Sequence, residues 1–330
     1  MNQSLVTVIM ALYNAEPYLR RCLDSLQAQT LDDFNVIIVD DGSKDISLEI
    51  ALDYSLRDKR FHVYHKENGG VSSARQYGIE LLEKIGGKYS IHVDPDDWVE
   101  PQMLERMCKK AEGTGADMVI CDYYQNISYK QRIRRQNPKS EDPRKVLGAL
   151  FRGLHGSLCN KLIRTDCYKV AGIRFPEGLN YCEDFYVNVC LLQKIRKVAY
   201  LPEAFYHYDC FSNDYSETRK GDRLYVNYIY TEIVRRCRGV VPDGLKDWQF
   251  YCFELRNAYY IMIRGCMADT EFKSFFRKKY IGLLFHPSSY SIPQFLTILA
   301  VYTGINHHYI AKVANGYLQF RHQIVLLLRQ

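Results

Sequence analysis

The densest chemistry in the sequence lies at Asp94-Pro95-Asp96-Asp97, which follows the apolar run Tyr89–Val93 directly. Carboxylates this close repel one another unless a cation sits among them, and their hard oxygens suit Mg²⁺ or Mn²⁺ bridging a diphosphate. The alternative is a solvated acidic turn leading into a helix expected from Pro101. Asp40-Asp41-Gly42-Ser43 also ends an apolar run, where it either accepts hydrogen bonds from a base or ribose or caps the next helix. The stretch Asn68-Gly69-Gly70-Val71-Ser72-Ser73-Ala74-Arg75 brings backbone N–H groups toward an anion at a helix N-terminus, with Arg75 adding positive charge. It lacks the Gly-Lys-Ser/Thr of a P-loop and the full G-x-G-x-x-G fingerprint. Farther on, Glu183-Asp184 is either a carboxylate base with its neighbour or an acidic pair favoured by a helix dipole. His207, between aromatic residues, is either a metal or diphosphate ligand or a packed ring.

These residues need elements to bring them together. Short apolar runs alternate with helical patterns in the first third, the form of βαβ units on a largely parallel sheet. Strands are expected at Leu5–Leu12, Asn35–Val39, Phe61–His65, Tyr89–Val93 and Asp117–Tyr124. Between them, helices are expected up to about Gln29, around Leu48–Leu56, after the Gly-rich turn with Ser72 or Ser73 as cap, and from Pro101 to about Glu112. Ligands gather beyond the carboxyl ends of strands in such sheets, where Tyr13-Asn14, Asp40-Asp41 and Asp94/Asp96/Asp97 all fall. Gln125–Arg144 reads as a polar, basic loop, and Arg144–Arg152 and Arg132/Arg134/Arg135 as solvated faces or loops.

Together these motifs resemble the family-two glycosyltransferases of the GT-A fold. The resemblance rests on Val8–Leu12 leading into Tyr13-Asn14 and Tyr18-Leu19, on Val39-Asp40-Asp41-Gly42-Ser43-Lys44-Asp45, on Gly69–Arg75, and on the D-x-D signature Asp94-Pro95-Asp96. Cys159-Asn160-Lys161-Leu162 and Tyr181-Cys182-Glu183-Asp184-Phe185-Tyr186 resemble later family elements. Ala11, Gln76, Cys159 and Pro95 depart from residues common there. The resemblance implies an α/β GT-A (Rossmann-like, nucleotide-binding) core with a mainly helical C-terminal extension. It also implies an inverting, metal-dependent hexosyltransferase type of enzyme in surface polysaccharide synthesis, taking a UDP-sugar with Mn²⁺ or Mg²⁺. Asp40 or Asp41 would hold uracil or ribose, with Ala11 and Tyr13 flanking the base and Gly70 and Arg75 contacting the nucleotide. Asp94 would serve ribose and, with Asp96 and His207, the metal. Asp184 would be the general base, with Glu183 beside it.

The chain has 330 residues, 47% hydrophobic and 25% charged, which fits a soluble globular protein of regions 1–125 (nucleotide-sugar binding), 126–217 (acceptor side) and 218–330 (helical, basic). No run is apolar enough for a membrane span, and the start lacks a basic n-region, so neither secretion nor spanning is expected. Eleven scattered cysteines without a C-x-x-C pair fit thiols in a reducing cytoplasm. Residues 1–120 hold 13 Lys/Arg against 20 Asp/Glu, and residues 121–330 hold 31 against 18. The basic, tyrosine-rich tail suggests peripheral contact with a membrane surface and a glycan or lipid-linked acceptor, with Lys278–Phe285 and Val325–Arg329 the foremost segments. No nucleic-acid motif accompanies the charge. Two rivals are a sugar nucleotidyltransferase, whose basic Gly-rich loop after the first strand is absent, and a non-catalytic nucleotide- or glycan-binding relative.

Overall fold

A computed structural model describes residues 4–127, 130–179, 181–210, 223–241, 249–250 and 253–254. The chain divides into one compact unit of residues 1–150 and 154–220 and a second of residues 151–153 and 221–330.

The first unit is a nine-stranded mixed sheet in the order β3-β2-β1-β4-β8-β6-β9-β5, with β7 added to β6. Its parallel half is β1 (Val6–Leu12), β2 (Phe34–Asp40), β3 (Phe61–His65) and β4 (Tyr89–His92). The near-continuous apolar runs that mark β1 and β2 follow from burial on both faces. One face, with Val6, Val8, Met10 and Leu12, packs against α1 (Glu16–Gln27), α2 (Ser47–Arg57) and α4 (Met103–Thr114); the other, with Ile9, Ile37 and Val39, packs against α3 (Val71–Ile85). The helical spacing of Leu19, Cys22, Leu23 and Leu26 buries all four.

Beyond β4 the sheet becomes mixed. β8 (Lys161–Arg164) runs antiparallel to both β4 and β6 (Met118–Ile127), so β6 points the same way as β4. β9 (Val198–Asp209) lies parallel to β6 and pairs with the short β5 (Trp98–Val99). The carboxyl ends of β1, β2, β3, β4, β6 and β9 therefore share one edge, where α7 (Glu183–Leu192) also begins its course.

Three expectations are corrected. Gln125–Arg144 is not simply a loop, because β7 (Lys130–Arg134) returns antiparallel along β6. All five β7 residues are exposed, so no apolar alternation marked the strand. Arg144–Arg152 lies in α5 (Pro143–Arg152), where Val146, Leu147, Leu150 and Phe151 are buried. Neither Ser72 nor Ser73 caps α3: the cap is Gly70, at φ 84°. A short helix, α6 (Asp166–Val170), follows β8.

In the second unit, α8 (Arg223–Val240) buries Ile233, Val234 and Cys237, and Phe151 packs edge-on against Phe250 at 4.9 Å. The tail segments singled out for membrane contact lie outside the described residues. No described helix is long and apolar enough to cross a membrane, and no disulfide joins the described cysteines.

Candidate active site

The turn after β4 is built from beneath. Tyr206 on β9 accepts the Asp94 N–H (3.2 Å) and donates its hydroxyl to Asp97 Oδ2, while the Asp209 N–H donates to Asp97 Oδ1 (2.8 Å). Asp97 is thus a buried structural acid; burial, then Asp96 and Asp94, push its carboxyl well above the usual range. Arg21 on α1 adds an outer brace, donating to the Asp96 carbonyl (2.6 Å) and pairing with Asp209 (2.9 Å).

Asp94 is drawn into a larger cluster. Its Oδ1 takes a hydrogen bond from Arg75 Nη2 (2.7 Å), and its Oδ2 lies 3.3 Å from the Cys159 thiol. Arg75 Nη1 donates to both Glu183 Oε1 and Asp184 Oδ1. One buried guanidinium on α3 therefore joins the D-x-D turn, 19 residues on from it, to the acidic pair at the start of α7, 108 and 109 residues on. Arg75 had been expected to contact nucleotide; here its donors serve three carboxylates. Burial alone would weaken its hold on its proton, but Asp184, Asp94 and Glu183 outweigh that and push its pKa up. Burial raises the Glu183 carboxyl to about 7 against the opposing pull of Arg75, and raises Asp184 as well.

Asp184 Oδ2 accepts the Leu158 N–H (3.1 Å) and lies 3.3 Å from the Ser157 hydroxyl. These partners escaped the sequence reading because nothing in the polar loop before the Asn160-Lys161-Leu162 element marked them. That element explains the loop's shape. Lys161, fully buried, donates Nζ to the carbonyls of His155 (2.8 Å) and Ser157 and to Asn160 Oδ1 (2.9 Å), and Asn160 Nδ2 donates to the Cys121 carbonyl (2.8 Å).

The other rim residues divide by exposure. Asp40 and Asp41, expected to hold base or ribose, are buried with their carboxylates engaged by the protein. Asp40 Oδ2 meets His65 Nδ1 (2.7 Å); Asp41 accepts Lys66 Nζ (2.7 Å) and the N–H groups of Gly69 (2.9 Å) and Gly70 (2.8 Å). Asp41 thus fixes the Gly-rich turn. A Cβ at Gly69 would come within 2.7 Å of Ser73 Oγ, which accounts for glycine there. Ala11 pairs with Val39 at the ends of β1 and β2, and Tyr13 just beyond is exposed, an aromatic face open to a planar base. A cavity of about 490 Å³ lies along the flank of α3, lined by His65, Lys66, Ser73, Tyr77 and Phe175 among others.

Among the described residues no three His, Cys, Asp or Glu side chains gather as a metal cage. His207 in particular does not join Asp94 and Asp96 in one ligand set. Its Nε2 meets Glu100 (2.8 Å), and its ring stacks between Trp98 (4.7 Å) and Tyr124 (4.5 Å). The turn nevertheless fits a divalent ion completed by diphosphate oxygens, a mode that needs only one or two protein carboxylates. Asp96 is half-buried, and Asp94, Asp96 and Asp97 crowd four residues, with Arg75 bound to Asp94.

Residues 7–174 match the family model described as glycosyl transferase family 2. The putative glycosyltransferase EpsH of Bacillus subtilis is 35% identical over 215 residues, covering 63% of this chain and 61% of EpsH. The chain thus spans about three fifths of the length of that relative. The crystal structure of S. aureus TarS 1-349 in complex with UDP-GlcNAc is similar at a TM-score of 0.66 and 19% identity, over 94% of this chain and 92% of that one. The mannosyltransferase PcManGT from Pyrobaculum calidifontis, in complex with GDP-Man and Mn²⁺, is similar at 0.51 and 15% identity, over 96% and 88%. Both likenesses are of the GT-A fold.

Proposed function

The chain belongs to glycosyltransferase family 2, and from that premise we propose that it transfers a sugar from a UDP-sugar to a hydroxyl of a glycan or lipid-linked glycan, inverting the anomeric carbon. The observation that carries this reading is the bridge from Asp94 through Arg75 to Glu183 and Asp184. It sets a carboxylate suited to accept a proton beside the turn suited to a diphosphate.

On the donor side, Tyr13 offers a stacking face and the N-terminus of α3 offers N–H groups to negative charge. Asp40 and Asp41 act by shaping the turns around that space. Asp96, with Asp94 next to it, would hold Mn²⁺ or Mg²⁺, which when bound neutralises charge on the leaving diphosphate. On the acceptor side, Asp184 takes the hydroxyl proton on an oxygen. The freed oxygen forms the new bond to the anomeric carbon from the face opposite the nucleotide, and the bond to the diphosphate breaks with its electron pair leaving on the nucleotide. Arg75, Leu158 N–H and Ser157 hold the carboxylate in place for this step. Cell-surface polysaccharide assembly at the cytoplasmic face of a membrane is the setting that suits such an enzyme and a basic tail.

Asp184→Asn tests the assignment. It should lower transfer by about 10²–10⁴-fold, the usual contribution of a general base, while UDP binding by calorimetry stays within a few-fold of the parent. A fully active variant removes Asp184 from the role.

A further inference from the structure

Between Tyr123 and Ser140 the sequence carries Lys130, Arg132, Arg134, Arg135 and Lys139 and no Asp or Glu. The fold turns this stretch into an arm. Ser90 pairs with Ile163 and Ile163 with Met118, so Asp94 of the D-x-D turn stands level with about Asp122 on β6. β6 continues to Ile127, roughly 17 Å past that level at about 3.4 Å per residue, and β7 returns beside it. The arm projects from the same sheet edge as the candidate site.

Register assigns its faces. Arg134 pairs with Tyr123, Arg132 with Gln125 and Lys130 with Ile127, so the three cations share the face of Tyr123. Tyr123 stacks on His155 at 4.5 Å. Gln136, at the arm's return, donates its N–H to Asp122 (2.6 Å) and accepts the His155 N–H (2.8 Å). Two residues on from His155 is Ser157, beside Asp184. The basic row is thus exposed, about 7 Å between successive cations, and continuous with the loop that holds the proposed base.

We propose that the β6–β7 arm is an acceptor track that takes an anionic glycan chain, its Lys130–Arg132–Arg134 row pairing with acidic groups on successive units while the growing end reaches Asp184. This rests on the glycosyltransferase reading and adds the chemical class of the acceptor. Exposed cations lose their attraction within about a Debye length of salt screening, so binding to this row is steeply salt-dependent.

The test uses a fluorescent oligogalacturonide and its methyl ester, the same chain with the charge removed, titrated into the full-length protein. The acidic chain should bind at least tenfold more tightly than the ester. Combined Lys130→Gln, Arg132→Gln and Arg134→Gln should erase that difference, with Lys130→Arg, Arg132→Lys and Arg134→Lys restoring most of it. A Gln variant that keeps the parent's preference for the acidic chain, or a parent without one, overturns the proposal. Row-dependent binding to phosphatidylglycerol vesicles without row-dependent binding to the acidic chain overturns it in favour of a lipid surface. UDP titration of the same preparations separates the two levels: a parent chain that binds no nucleotide contradicts the donor reading, while the oligogalacturonide arms still decide the track.

Discussion

Asp184 and Glu183 share one guanidinium and a buried setting, and this governs how they titrate. Burial lifts Glu183 to about 7 from an ordinary 4.5, and lifts Asp184 in the same direction. Activity should therefore rise with pH along an acid limb displaced above the ordinary carboxylate range, as Asp184 loses its proton. Glu183→Gln should move that limb to lower pH by removing a neighbouring negative charge, which a pH series of initial rates would read. The fold should respond oppositely. Between about 4.5 and about 7 the folded chain keeps a proton that the unfolded chain gives up, so stability present below that window is lost as pH rises through it. Thermal melts across pH should show this fall flattened in Glu183→Gln. The acidic pair and the D-x-D residues stood out through the family resemblance, since by type and spacing alone each also fits a helix-dipole or turn reading. Arg75's commitment to carboxylates did not stand out, since its partners are distant in sequence and only folding brings them to it.

At the element scale, two buried charges shape the loops that carry the chemistry. Asp41 accepts from Lys66, Gly69 and Gly70, and an asparagine there would turn an amide donor or a weaker acceptor toward those N–H groups. Asp41→Asn should cost about 2 kcal/mol in a denaturant titration and raise the donor KM more than it lowers kcat. Lys161 holds the 155–160 loop from within. Lys161→Met leaves three acceptors, two of them part-buried, without their buried donor, so a loss of about 3 kcal/mol is expected, with kcat falling because Asp184 loses the framing of Ser157 and Leu158. The parallel strands were legible as apolar runs, and Phe61–His65 was placed to the residue. β7 was not, because an exposed edge strand of Lys, Gln, Arg, Ile and Arg has no core face to print a period of two on its sequence. The register that puts Asp94 level with the start of the arm likewise comes from pairing, which no single segment encodes.

Across the whole molecule, the charge asymmetry of the sequence acquires positions. Acids of the first 120 residues end β2 and β4 at one sheet edge, where Asp40, Asp41 and Asp97 are internal supports and Asp94 pairs with Arg75. Basic residues that follow line an arm rising from the same edge. The central claim is that this edge turns over a nucleotide-sugar with the help of a divalent ion. Its most direct test is release of nucleoside diphosphate from a panel of nucleotide-sugars, with Mn²⁺ or Mg²⁺, with EDTA, and with glycan acceptors added. The account predicts UDP released from at least one UDP-sugar, suppressed by EDTA and stimulated by acceptor. Pyrophosphate as the product, or nucleotide-sugar bound without turnover on every donor with metal and acceptor present, would contradict it.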